Sequence, residues 1–316
     1  MRDILLRDLI SMCVVVALCG CQSDPASPGT DTETPPSPPA ECLTLPAPDG
    51  RQASLLKTPY LLAPRADGVT VAFESLEGVS AWIGVWEPGA ECLTALVEAP
   101  PSQLDPTLRL LGEVIPMDAP PGYQHAAHIE GLKPGLTYQY QVVMGDFVGD
   151  KYMFRAPPAP GQDYRLGIIG DTRTHDADHQ RVIDALSPYA PDMVVHTGDL
   201  MTTAGILDDW IGFFAIEAEL LARAPFIPAF GNHEAVFGHS YWAGYIHVTG
   251  AYKPEERRNY AFAYGDSYWI VWDSATALDE PRIDWIIARL EDAEAYPYRF
   301  VVFHHDPAHD DDFMDQ

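Results

Sequence analysis

The chain has 316 residues and carries 46 Asp and Glu against 19 Lys and Arg, a formal net charge of -27. That length accommodates roughly two ordinary domains, and a hydrophobic fraction of 47% supports a sizeable core. The acidic balance excludes nucleic acid as a partner, because a phosphate backbone is bound by clustered Lys and Arg.

Residues 1–21 read as a targeting segment rather than part of a fold. Arg2 and Arg7 precede the apolar run Met12-Cys13-Val14-Val15-Val16-Ala17-Leu18. That run is shorter than the roughly 20 residues a membrane-spanning helix needs, and it fits the apolar region of a secretory signal. It ends in Leu18-Cys19-Gly20-Cys21, which resembles a bacterial lipobox with Cys21 as the lipidated residue, although Asp3 and Asp8 are unusual so early. An ordinary cleaved signal is the alternative. Residues 22–49 follow, with Pro25, Pro28, Pro35, Pro36, Pro38 and Pro39 among Ser, Thr, Asp and Gly. Such a stretch buries too little apolar surface to offset its ordering entropy and reads as a tether. The expected setting is the cell envelope, with a membrane contacted through the lipid. Cys42 and Cys92 then remain in the mature part. They pair or stay free thiols; their spacing leaves that open.

Residues 50–157 carry an all-β pattern. Val69-Thr70-Val71-Ala72-Phe73, Ala81-Trp82-Ile83-Gly84-Val85-Trp86, His125-Ala126-Ala127-His128-Ile129 and Thr137-Tyr138-Gln139-Tyr140-Gln141-Val142-Val143 are strand-like runs between turn residues. Their spacing suggests a sandwich. Leu132-Lys133-Pro134-Gly135-Leu136-Thr137-Tyr138 resembles the tyrosine corner of fibronectin type III modules. His125 and His128 lie three apart on one strand, on opposite faces, so they are not a metal pair. Pro157-Pro158-Ala159-Pro160-Gly161 marks the end of this part.

From 164 to 316 the pattern changes to α/β. Four apolar runs each end in polar chemistry: Arg165-Leu166-Gly167-Ile168-Ile169-Gly170-Asp171, Asp192-Met193-Val194-Val195-His196-Thr197-Gly198-Asp199, Pro225-Phe226-Ile227-Pro228-Ala229-Phe230-Gly231-Asn232-His233-Glu234, and Arg299-Phe300-Val301-Val302-Phe303-His304-His305. Helical patterns over Asp178–Ser187 and Leu207–Ala222 separate the first three. One Gly-Asp after a strand is weak evidence, but four such strand ends in series are strong. Parallel strands read as continuous apolar runs with ligands at their C-terminal ends. Carboxylates, an amide and imidazoles together suit Fe, Zn or Mn.

This ordered series resembles the calcineurin-like metallophosphoesterases, and the preceding β-sandwich makes purple acid phosphatases and their bacterial kin the most similar group. Tyr260-Ala261-Phe262 and Tyr268-Trp269-Ile270-Val271-Trp272-Asp273-Ser274 resemble the family's hairpin ending in Asp-Ser, and Ile283–Leu290 resembles its following helix. The resemblance implies an α/β domain built as a β-sandwich flanked by helices, two metal ions (Fe, Zn or Mn) and a phosphate-ester substrate hydrolysed by a metal-bound hydroxide. By the same resemblance Asp171 binds the first ion, Asp199 bridges both, Asn232 and His304 bind the second, and His233 faces the substrate phosphate. His304 directly follows its apolar run, whereas Pro307 stands two residues after His305, so the two histidines remain alternatives with His304 preferred.

The pattern departs from the family at several places. Arg173 stands where many members have a ligand His, and Thr202 stands where purple acid phosphatases have Tyr. Ferric-tyrosinate colour is therefore not expected. Arg173 either contacts substrate phosphate or pairs with a nearby carboxylate, and His175 is an alternative ligand. The family's final Gly-His-x-His is absent: Gly238-His239 lies too early, and His309 sits in an acidic run. The expectation is a C-terminally incomplete domain with an exposed sheet edge, and a catalytically impaired surface binding protein is the rival to an active hydrolase. Substrate identity and oligomeric state are not legible.

Overall fold

Two prolines conceal the first strand. β1 (Leu55–Arg65) contains Pro59 and Pro64, residues that argue against a strand, yet it pairs antiparallel with β2 (Gly68–Ser75). Register shifts between Lys57 and Tyr60 and between Leu62 and Arg65 absorb them, and β1 lies at the edge of its sheet, where a missing N–H is tolerated. The computed structural model describes residues 42–110, 113–237, 239–276 and 279–305. Cys21, most of the Pro-rich tether, Gly238 and His309 lie outside them. Among the described residues no helix is long and apolar enough to cross a membrane.

The β half comprises two antiparallel sheets. One is ordered β1-β2-β7, with β7 at Tyr123–Ile129; the other is β4-β3-β8-β9, with β3 at Ala81–Trp86, β4 at Ala95–Ala99, β8 at Thr137–Met144 and β9 at Phe147–Arg155. A small β5 (Thr107–Leu110) and β6 (Glu113–Pro116) pair forms a separate ribbon. Val69, Val71 and Phe73 of β2 meet Ile83 and Val85 of β3 and Tyr138, Tyr140 and Val142 of β8 in one buried cluster. Alternate residues of each strand thus face a common core, as stacked sheets require. The Tyr138 hydroxyl accepts the Lys133 backbone N–H at 3.0 Å, tying the approach loop to β8. Cys42 and Cys92 form a disulfide. His125 is buried between Ser75 and the Ala99 carbonyl, while His128 bonds Thr70, so the two histidines serve separate partners.

The Pro-rich segment at 157–161 leads to a parallel sheet of β10 (Leu166–Ile169), β11 (Met193–His196) and β12 (Phe226–Pro228). Helices α1 (Asp176–Leu186) and α2 (Leu207–Leu221) make the crossovers, followed by the one-turn α3 (Asn232–Ala235) and α4 (His239–Tyr245). A second sheet is ordered β13 (Tyr260–Tyr264), β14 (Ser267–Val271) and β15 (Tyr298–Val302), with α5 (Glu280–Asp292) between the last two. The fourth apolar run is thus β15, in a different sheet from the other three. Met193, Val195 and Ile227 of the first sheet and Phe262, Trp269 and Val302 of the second share a core between them. Ile183 of α1 and Phe213 of α2 cover the other side of the first sheet, at Val194 and Phe226.

The β half and the α/β half share packing as well as a linker. Tyr60 and Leu62 of β1 are buried with Trp210, Phe214 and Tyr245. The Tyr60 hydroxyl donates to the Tyr245 carbonyl at 3.0 Å, and the Tyr140 hydroxyl donates to the Ala222 carbonyl at 2.9 Å. Lys57 forms a buried ion pair with Glu74 at 3.0 Å, and its ammonium lies 3.6 Å from the Tyr245 ring centroid.

Candidate metal centre

The C-terminal ends of β10, β11, β12 and β15 converge. One ligand atom from each of Asp171, Asp199 and His304 lies within 4.8 Å of the others. Asp171 and Asp199 adopt positive φ, 51° and 57°, a region that Asp tolerates better than most residues but that still costs about 1–3 kcal/mol unless the surroundings enforce it. These left-handed residues lie in the loops just after β10, an edge strand, and β11, the central strand.

Glycines admit the ligands to one another. A methyl at Gly231 would stand 2.4 Å from Asp199 Oδ1 and 2.5 Å from the Asp199 amide nitrogen. Gly198 has φ +102°, and a Cβ there would lie 2.9 Å from His304 Nδ1. These two motif glycines are therefore explained by the approach of other side chains.

His304 Nδ1 donates to the Thr197 carbonyl at 2.9 Å, which leaves Nε2 as the ligand atom. Nε2 faces Asn232 Oδ1 at 3.1 Å and Asp199 Oδ1 at 3.4 Å. Three lone-pair atoms directed at one another are the donor set of a cation. Burial lowers the His304 pKa, but the hydrogen bond and charge of Asp199 outweigh it and raise it above its ordinary value. Burial likewise pushes Asp199 up, and hydrogen bonds from His304 and the His233 backbone bring it below its ordinary value. Asp199 is fully buried, and its Oδ2 is ion-paired with Arg173 Nε at 3.1 Å without a well-aligned hydrogen bond. The other oxygen, Oδ1, faces His304 Nε2, and a buried carboxylate presented to an imidazole and an amide oxygen fits a cation ligand.

The other expected residues fall as follows. The His233 backbone N–H donates to Asp199 Oδ1 at 3.0 Å, and its Nδ1 donates to the Thr202 carbonyl at 2.5 Å, with Nε2 3.9 Å from Asp199 Oδ2. Arg173 pairs with carboxylates: its Nε is 3.1 Å from Asp199 Oδ2 and 3.8 Å from Asp171 Oδ1, and its guanidinium also touches His233 Nε2. His305 stacks edge-on against His304, ring centroids 4.4 Å apart, outside the Asp171–Asp199–His304 group. His175 is an exposed residue at the N-terminus of α1, and Thr202 is exposed.

A supporting layer went without roles in the sequence. Glu234, fully buried, accepts the backbone N–H groups of Asp199 (2.9 Å), Gly231 (2.8 Å) and Leu200 (2.9 Å). Burial, together with the Asp199 charge, pushes its pKa up to about 7 against the pull of those three donors. The Ser274 hydroxyl accepts the backbone N–H groups of His304 at 3.1 Å and His305 at 2.8 Å. The neighbouring Asp273 is fixed by Arg258 and Thr276, each at 2.7 Å. Buried His196 accepts the Gly198 N–H at Nδ1 (3.2 Å), so its Nε2–H donates to Thr172 Oγ1 (2.9 Å), whose own proton goes to the Leu200 carbonyl (2.9 Å). That chain locks the β10 and β11 loops together. The Glu in Gly-Asn-His-Glu and the Ser in Asp-Ser were the available signals.

Comparison with known proteins agrees with this geometry. The calcineurin-like phosphoesterase family model matches residues 164–315, so this part of the chain is a calcineurin-like metallophosphoesterase domain. A nucleotide pyrophosphatase/phosphodiesterase of Hordeum vulgare is 35% identical over 100 residues, covering 26% of this chain and 27% of that protein. "Probable inactive purple acid phosphatase 27" of Arabidopsis thaliana is 29% identical over 134 residues, covering 36% of this chain and 22% of that protein. The matched stretches thus span about a quarter of the length of these relatives. Among solved structures, a purple acid phosphatase from yellow lupin (Lupinus luteus) seeds superposes with a TM-score of 0.62 at 20% identity, covering 77% of this chain and 50% of that one. PhoD superposes at 0.55 and 13% identity, covering 81% and 63%. At these identities the likeness is one of fold.

Proposed function

We propose that the chain is a metal-dependent phosphoesterase whose reaction takes place at the Asp171–Asp199–His304 cluster. The observation that carries this is the convergence of Asp199 Oδ1, Asn232 Oδ1 and His304 Nε2, three ligand atoms on three separate strand ends. The resemblance implies two ions bridged by Asp199. Among the described residues Asp171, Asp199 and His304 each present one ligand atom within 4.8 Å of the others, and Asn232 Oδ1 lies 3.1 Å from His304 Nε2. When bound, such an ion polarises a phosphoryl oxygen and acidifies water.

The protein's own groups supply orientation and proton transfer. Thr197 fixes the His304 tautomer, and Glu234 fixes the Asp199 loop. His233 has its Nδ1–H tied to Thr202, so Nε2 is the atom that meets the phosphoryl group, and it protonates the leaving oxygen only from the imidazolium form. Arg173 has five N–H donors, and those beyond its contacts with Asp199 and His233 are available to a phosphoryl oxygen. The test is elemental analysis of purified protein loaded with Mn²⁺, Zn²⁺ or Fe, alongside hydrolysis of p-nitrophenyl phosphate and its bis-ester. Metal uptake and turnover, both lost in Asp199→Ala, are expected; absence of metal uptake overturns the reading.

The proposed setting is the cell envelope, with residues 50–157 as a fibronectin type III-like module and Cys21 as the lipid attachment point. The Cys42–Cys92 disulfide supports an oxidising compartment, and the Tyr138–Lys133 bond supports the module. Cys21→Ser is expected to release the protein from membranes, and unchanged membrane partitioning overturns the anchor. The rival reading, a folded binding protein of low activity, draws on Arg173 occupying a usual ligand position. It predicts intact folding with no turnover under any metal.

A further inference from the structure

We infer that Ile206, Val236 and Phe237 form an apolar shelf beside His233 that receives the alcohol portion of the ester, so that the favoured substrates are phosphate esters of apolar alcohols. The inference rests on the phosphoesterase reading and names a substrate class for that site. The shelf is built from the two segments that hold His233. Val236 and Phe237 directly follow α3, the one-turn helix that carries it. Ile206 closes the loop whose Thr202 carbonyl accepts the His233 Nδ1–H at 2.5 Å. A helical turn rises about 5.4 Å, so the shelf begins about one turn from the imidazole.

The exposure of this shelf is built into the backbone. Phe237 has φ 66°, a left-handed conformation that an aromatic residue adopts only where its surroundings enforce it. A methyl at Gly205 would stand 2.7 Å from Phe237 Cβ, so the glycine makes room for Phe237 over the loop that ends at Ile206. The flanking chain is pinned. The Val236 N–H donates to the Asn232 carbonyl at 3.2 Å, the Phe237 N–H to the Ala235 carbonyl at 3.1 Å, and the Ser240 hydroxyl to the Thr107 carbonyl at 2.6 Å. Even so, Ile206, Val236 and Phe237 each remain half-exposed. Apolar surface beside a few convergent polar groups is the usual make-up of a substrate site, and here the polar groups are Arg173 and His233. Hydrolysis transfers the phosphoryl group to water and returns the alcohol with one of the water's protons. Arg173 and His233 face the phosphoryl end of such an ester, and the shelf faces its alcohol end.

The test compares 2-phenylethyl phosphate with ethyl phosphate, whose leaving alcohols differ in apolar surface more than in reactivity. Release of inorganic phosphate from Mn²⁺-loaded protein gives kcat/KM, and isothermal titration with the non-hydrolysable 2-phenylethyl- and ethylphosphonates gives affinity. The wild-type protein is expected to favour the phenylethyl compound about tenfold in both measurements, the effect of taking roughly 60 Å² of apolar surface out of water. Phe237→Gly suits the left-handed backbone, so it removes the ring without straining the loop, and it is expected to bring both ratios near unity. Phe237→Tyr is expected to keep them. Ratios near unity in the wild-type protein, or a preference that survives in Phe237→Gly, overturn the shelf while leaving the phosphoesterase reading intact. No hydrolysis of either ester overturns that reading, and the phosphonate ratio then decides the shelf by itself.

Discussion

Glu234 Oε2 accepts the backbone N–H of Asp199 at 2.9 Å and that of Gly231 at 2.8 Å, while Oε1 accepts the N–H of Leu200 at 2.9 Å. One buried carboxylate thus holds the loop after β11 and the entry to α3 in a single arrangement. Glu234→Gln keeps the shape but turns an NH2 group toward at least one of those donors. An unsatisfied buried pair of this kind costs about 1–3 kcal/mol. Chemical denaturation is expected to show that loss, together with weaker metal binding; wild-type stability would refute it.

Gly231→Ala puts a methyl 2.4 Å from Asp199 Oδ1, against a side chain and backbone that are both buried. Neither neighbour is the free end of a flexible chain. Overpacking of this sort costs about 1–3 kcal/mol, and here it displaces a ligand as well. A lowered thermal midpoint with reduced metal content is expected, and an unchanged midpoint would contradict the close-approach explanation for this glycine.

Ser274→Ala removes the acceptor of the His304 and His305 amides without touching either imidazole. Loss of an outer support of this kind typically weakens metal affinity about 10–100-fold. Isothermal titration with Zn²⁺ should show that loss with near-normal circular dichroism. Unchanged affinity would mean that β15 alone positions His304.

How much of this was readable in advance depended on whether a residue's job is local. Asp171, Asp199, Asn232 and His304 each end an apolar run, and that pattern is visible along the chain. The roles of Glu234 and Ser274 depend on groups brought close only by folding, so their types were visible and their tasks were not. β1 was missed because Pro59 and Pro64 argue against a strand, and only its bulges and edge position reconcile them. Spacing left Cys42 and Cys92 open because their pairing depends on the β3–β4 connection, where the Leu93 N–H donates to the Leu43 carbonyl at 3.0 Å. The ion pair of Arg173 with Asp199 was one of two readings, and side-chain placement supplied what spacing could not.

Acid should destabilise the fold through His196. Burial, with help from the nearby histidines, lowers its pKa to about 3. A histidine whose folded pKa is depressed leaves stability intact above the unfolded value of about 6.5, and stability falls as the unfolded chain takes up the proton below it. One such group contributes a slope of about 1.4 kcal/mol per pH unit between those values. His247, lowered to about 4 chiefly by burial and then by Arg257, adds to it over the upper part of that window. Urea denaturation from pH 7 to pH 4 should show the slope, and His196→Gln should flatten it while lowering stability at pH 7. An equal slope in the variant would refute the assignment.

The disulfide closes a separation of 50 residues, Cys42 to Cys92. Removing such a cross-link typically costs about 2–4 kcal/mol. Reduction with dithiothreitol, or Cys42→Ser with Cys92→Ser, is expected to lower the thermal midpoint without abolishing metal binding, because both cysteines lie in the β half. Loss of metal on reduction would show a coupling that the packing does not predict.

The most direct test of the central claim is hydrolysis of bis-p-nitrophenyl phosphate by the purified chain before chelation, after chelation and after readdition of Mn²⁺. Turnover that disappears with chelation, returns with Mn²⁺ and is absent in Asp199→Ala is the predicted result. Turnover that survives both chelation and Asp199→Ala, or no turnover by a wild-type protein shown to have bound its metal, would contradict it.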